Sequence, residues 1–111
     1  MRVAYVAGPY RSPLGPAGIK ANIEAAWKVA RQLWAEGYAV ICPHANTALM
    51  DGSDIGDAKF LDGDLELLAR CDVVFPIPGW KSSKGAKAEI QFAIRNEIDV
   101  DFRFCGEEAN G

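Results

Sequence analysis

RVAYVAGP, residues 2–9, is a short and nearly continuous apolar run that stops at a glycine and a proline. Such a run reads as a strand buried on both faces, the kind that sits inside a parallel sheet covered by helices. Outward from it, Lys20 to Glu36 sets Ile23, Ala26, Trp27, Ala30, Leu33 and Trp34 at helical spacing, and Gly37 follows where a left-handed residue closes a helix. Tyr38 to Cys42 (YAVIC) reads as a second buried strand closed by Pro43, and the polar, Asp- and Gly-rich stretch from Asn46 to Asp57 as loop.

The alternation continues to the end of the chain. Asp57 to Arg70 carries a helical pattern through Phe60, Leu61, Leu65 and Leu68, and Asp72 to Ile77 (DVVFPI) gives a third strand. A loop carries Gly79 to Lys84. Gly85 to Arg95 forms a helix with Ala86, Ile90, Ala93 and Ile94 inward, Ile98 to Phe104 a final strand, and the last seven residues fray. Parallel strands need helical crossovers, and those crossovers take the right-handed path. The expected fold is therefore α/β: a three-layer flavodoxin-like or Rossmann-like sandwich with a four- to five-stranded, mostly parallel sheet, residues 1–111 forming one domain.

Composition excludes several classes. Half the 111 residues are hydrophobic and 24% are charged, the balance of an ordinary globular domain. No apolar run approaches the roughly 18 residues of a membrane span, and Met1 and Arg2 lead straight into the first strand without the pattern of a signal peptide, so a cytoplasmic protein is expected. The three cysteines, Cys42, Cys71 and Cys105, are scattered and form neither a disulfide framework nor a zinc motif. A net charge of -3 with no concentrated basic face does not suit a nucleic-acid polymer. A small anionic ligand fits better.

Ligands of open parallel sheets bind beyond the carboxyl ends of the strands, here the segments that start at Gly8, Pro43 and Pro78. Two carboxylates near that edge break the hydrophobic pattern. Asp64 falls three residues after Leu61 and four before Leu68, on the stripe of core leucines; either it serves a site, or it turns to solvent beside Asp62 and Glu66. Glu89 falls between Ala86 and Ala93 on the inward side of its helix, in about the first turn, where the helix N-terminus favours an ionised carboxylate whether or not it has a function. Lys81, Ser82, Ser83, Lys84, Gly85 and Lys87 offer hydroxyls, backbone N–H groups and charge for a phosphate, or simply a capped, solvated loop. The spacing is not that of a Walker A loop.

The segments YVAGPYR (5–11), GDLELLARCDVV (63–74) and PGWKSSKGAKAE (78–89) resemble the nucleoside 2-deoxyribosyltransferase-like superfamily. Within it the chain is most similar to small uncharacterised phage and bacterial members, related to the 2'-deoxynucleoside 5'-phosphate N-hydrolases. The family pattern Ser-x-Gly-x-x-x-Glu is met by Ser83, Gly85 and Glu89, so the resemblance implies Glu89 as nucleophile. The family's second acid lies eight residues before the Asp that opens the third strand, which here is Asp64 before Asp72. Tyr5 occupies the place of an aromatic hydroxyl that orients the nucleophile, although a plain core tyrosine also fits. Arg11, shortly after Gly8, resembles the arginine that binds a 5'-phosphate, with Ser83 completing the cradle.

The implied reaction is cleavage of the N-glycosidic bond of a (deoxy)nucleoside 5'-monophosphate through a covalent glycosyl-Glu89 intermediate, by hydrolysis or base exchange, in the manner of a retaining glycosidase. No metal or redox cofactor is called for, and Asp51, Asp54 and Asp57 lack the alternate-residue spacing of an EF-hand. His44, the only histidine, follows the second strand and serves either the substrate or the local structure. Trp80 is a candidate for stacking on a base, whereas Trp27 and Trp34 read as core or interface. The alternative from another class is a catalytically silent nucleotide-binding or sensing module. Family members assemble as dimers or larger oligomers, so the resemblance also implies a homo-oligomer.

Overall fold

The computed structural model describes residues 1–44 and 56–106. Strand β1 (Val3–Ala7) leads through a loop to helix α1 (Pro16–Ala35), then to β2 (Ala39–Ile41). Helix α2 (Asp57–Leu68), β3 (Val73–Pro76), a single 3-10 turn (Trp80–Ser82), α3 (Lys84–Arg95) and β4 (Asp99–Val100) complete the described chain. The Asn46 to Asp57 loop and the frayed tail expected from sequence lie mostly outside the described residues, and so do Asp51 and Asp54.

The sheet is parallel throughout, with strand order β2-β1-β3-β4. β1 is central: Ala4 stands between Val40 on β2 and Val73 on β3, and Tyr5 between Ile41 and Val74. The period of two sends its side chains to both faces. Ala4 and Val6 join Ala26, Ala30, Leu33 and Phe75 under α1, while Tyr5 and Ala7 join Leu68, Val74, Ile90 and Ala93 under α2 and α3. Three layers result, as the sequence predicts for a strand with no polar face.

Boundaries shift for local reasons. α1 begins at Pro16, four residues before the expected start, because proline suits the first helical position, where its missing N–H is not needed. Gly37 closes the helix with φ +100. The last strand shrinks from the predicted Ile98–Phe104 to Asp99–Val100, since the Asp101 carboxylate accepts from Arg103 N–H and turns the chain. Cys105 does not fray: it is buried, and its thiol donates to the Pro76 carbonyl. All three cysteines are buried, and no disulfide joins them. Among the described residues no helix is long and apolar enough to cross a membrane.

β1 and β3 are neighbours, but β1 connects onward to β2 on its other side, so their carboxyl ends form the point where strand order reverses. Open α/β sheets hold ligands in the crevice at that point. Gly8 lets the end of β1 pack closely on the segment after β3, since a Cβ at this position would collide with the Ile77 side chain.

Candidate active site

A cavity of about 550 Å³ opens at this edge, with walls from all three predicted segments and from α2 and α3. Gly8, Tyr10 and Arg11 line it from the loop after β1, and His44 from the end of β2. Asp64 enters from α2, and Ser83, Gly85 and Glu89 from the start of α3.

Glu89 is the buried charge-bearing group at its floor, 6% exposed. The sixth residue of α3, it stands beyond the first turn, where the helix terminus acts most strongly. Burial consequently prevails and pushes its carboxyl up to about 8; a hydrogen bond from the Tyr5 hydroxyl opposes this, and the charge of Asp64 adds to it. The sequence argument from the helix end alone thus pointed to the wrong direction. Tyr5, fully buried on β1, donates its hydroxyl to Glu89. Burial first, and then the Glu89 charge, push the Tyr5 phenol up, which keeps it a permanent donor.

Asp64 resolves the choice left open by pattern. Asp62 and Glu66 are exposed, whereas Asp64 is half-buried on the cavity wall, and burial raises its carboxyl to about 6. Two carboxyls whose proton affinities are both raised therefore face one chamber, a combination characteristic of acid-base sites.

The cavity lining also carries cationic groups and donors. Ser83 caps α3, its Oγ accepting from Ala86 N–H at 3.2 Å. The N–H groups of Lys84 and Gly85 have no acceptor inside the helix and sit at the cavity edge. The Arg11 guanidinium lies 5.3 Å over the Tyr10 ring.

His44 is a wall residue with a structural bond. Its Nε2–H donates to the Pro9 carbonyl at 2.8 Å, and burial lowers its proton affinity, so the ring is neutral and holds the β1 loop. Trp80 is not among the lining residues: its ring packs with the core under α3, 5.8 Å from Phe102. The stacking role expected for it does not fit this placement.

Sequence reasoning missed two residues. Tyr10 lines the cavity between His44, 5.8 Å away, and Arg11. Asn22, on α1, donates from Nδ2 to the carbonyls of Tyr10 at 3.0 Å and Arg11 at 3.4 Å, and so fixes the loop. Tyr10 was signalled by its place in GPYR; nothing local distinguishes Asn22 from a surface helix residue. Among the described residues no three His, Cys, Asp or Glu side chains gather as a metal ion requires.

A solved structure, the 2-desoxiribosyltransferase from Leishmania mexicana, superposes with a TM-score of 0.60 at 15% identity over 90% of this chain. The chain spans 62% of the length of that protein. The likeness establishes a shared fold. No curated protein matches. The family model of a domain of unknown function, DUF7768, matches residues 2–103. That match covers nearly the whole chain, which belongs to the DUF7768 family.

Proposed function

We propose that the protein cleaves the N-glycosidic bond of a nucleoside 5'-monophosphate, with Glu89 as nucleophile. The observation that carries this reading is the buried Glu89 carboxylate, hydrogen-bonded by Tyr5 and facing Asp64 across a cavity of about 550 Å³, large enough for such a ligand. The fold shared with a 2-desoxiribosyltransferase supports it.

In the first step a Glu89 oxygen bonds to the anomeric carbon as the bond to the base breaks; the base leaves with the electron pair and takes a proton from Asp64. In the second, water attacks the same carbon, the ester bond returns its electrons to Glu89, and the water proton passes to Asp64. A second base in place of water makes the protein a transferase. Burial makes the neutral form of Asp64 accessible near pH 6, as a proton donor requires. The Tyr5 hydroxyl favours the Glu89 anion that attack demands, against the desolvation that disfavours it. Arg11 and the N–H groups of Lys84 and Gly85 suit a 5'-phosphate, which points to the branch similar to the phosphate-dependent N-hydrolases.

The test is incubation with nucleosides and nucleoside 5'-monophosphates, with and without acceptor bases, following free base by chromatography beside Glu89→Gln. Base released by the wild type alone supports the proposal. Nucleotide binding without release overturns it in favour of a silent binding module.

A further inference from the structure

The loop between β1 and α1 takes much of its shape from side chains outside it. Residues 8–12 belong to no helix or strand, yet the consecutive carbonyls of residues 9–12 each accept a hydrogen bond. Pro9 accepts from His44 Nε2 at 2.8 Å, Tyr10 and Arg11 from Asn22 Nδ2 at 3.0 and 3.4 Å, and Ser12 from Gly15 N–H at 3.2 Å. The carbonyls of Tyr10 and Arg11 can only accept, so the Asn22 amide turns its nitrogen to them, and its two hydrogens suffice for both.

Asn22 stands one turn beyond Gly18 on α1, so the two share a helix face. At Gly18 a Cβ would collide with the Ser12 side chain, so the loop lies directly against the helix there. The glycine admits the loop and the asparagine ties it down. Asn22 does not line the cavity, whereas Tyr10 and Arg11 do. Its influence on a ligand therefore passes through the loop.

A long arginine side chain holds a phosphate well only when its backbone is already fixed, because a loose loop loses freedom on binding and that loss weakens affinity. We infer that Asn22 is a positioning residue: together with His44 it fixes the loop of residues 9–12 so that Arg11 is preset for the 5'-phosphate of a nucleotide. The inference rests on the phosphate contact proposed for Arg11.

Titration calorimetry of the full chain with a nucleoside and with its 5'-monophosphate tests this without requiring turnover. In the wild type the phosphate is expected to strengthen binding. Asn22→Asp keeps the side-chain shape but sets an acceptor against two carbonyls, and is expected to cut the phosphate advantage roughly tenfold while nucleoside affinity holds. Asn22→Ala, which only removes the donor, shows the same loss should the charged variant not fold. In an Arg11→Gln background Asn22→Ala costs no further phosphate preference, a coupling that a merely structural residue does not show. Where base is released, the loss appears in KM and not in kcat. Equal losses for both ligands, losses that add to those of Arg11→Gln, or a wild type without phosphate preference overturn the inference. Phosphate preference that depends on Asn22 in a protein that releases no base supports it while overturning the proposed chemistry.

Discussion

The Tyr5 hydroxyl donates to the Glu89 carboxylate across 84 positions of sequence, joining the middle of β1 to the inward face of α3. Both partners are buried, so the bond is the main influence that favours a charged Glu89. Tyr5→Phe removes it without changing the ring. The expected result is a Glu89 that ionises at still higher pH, and a rate of base release reduced roughly tenfold or more at neutral pH. Activity that recovers in the variant as pH is raised supports this; an unchanged pH profile argues against it.

Glu89 and Asp64 titrate together, with carboxyls raised to about 8 and about 6. Between those values the pair holds one proton, mainly on Glu89, and the form with Glu89 ionised and Asp64 protonated that the reaction requires is the minor of the two singly protonated forms, populated over the same range. The rate profile is therefore expected to be bell-shaped, highest between pH 6 and 8. Asp64→Asn removes the donor, lowering the rate by roughly 10²–10⁴-fold and flattening the alkaline limb. Steady-state kinetics across this range on both proteins decide it.

The same burial links stability to pH in the opposite sense from ordinary salt-bridged carboxylates. Glu89 ionises near 4.5 when unfolded and about 8 when folded, so between these values the folded chain binds more protons. Its contribution is full below the lower value, declines as pH rises to about 8, and is lost above. Glu89→Gln should therefore abolish base release while stabilising the protein at alkaline pH, by roughly 2–4 kcal/mol. Thermal denaturation at pH 5 and pH 9 checks this: a variant no more stable than wild type at the higher pH contradicts the buried charge.

Arg11 lines the cavity from the loop after β1, with its guanidinium over the Tyr10 ring. Arg11→Gln is expected to raise KM for a nucleoside 5'-monophosphate roughly 10–100-fold, as loss of a charge-assisted contact does, and to leave the unphosphorylated nucleoside unaffected. Equal losses for both substrates assign Arg11 to the structure of the loop instead.

Much of the fold was legible because its signals are local. The apolar run from Val3 to Ala7 and the helical spacings in α1, α2 and α3 each report burial through periods that sequence carries directly. β4 was overestimated because an edge strand has weak patterning, and a single Asp101 turn ends it. The outward side of α1 was equally unreadable: Trp27 and Trp34 have the spacing of core residues, and only the packing of Ala26, Ala30 and Leu33 shows which stripe is buried.

The sequence by itself determined the α/β order, the strand ends at Gly8, Pro43 and Pro78 that border the site, and the two carboxylates that break an apolar stripe. Tertiary structure alone decided which groups meet and in what state of charge. It gave Tyr5 to Glu89, turned Asp64 from solvent to the cavity, committed His44 to Pro9, and packed Trp80 against the core. The physical reason is range: periodicity and helix termini act within a few residues, whereas desolvation and hydrogen bonding at a buried carboxylate depend on every element packed around it. In Glu89 the two conflict, and burial prevails.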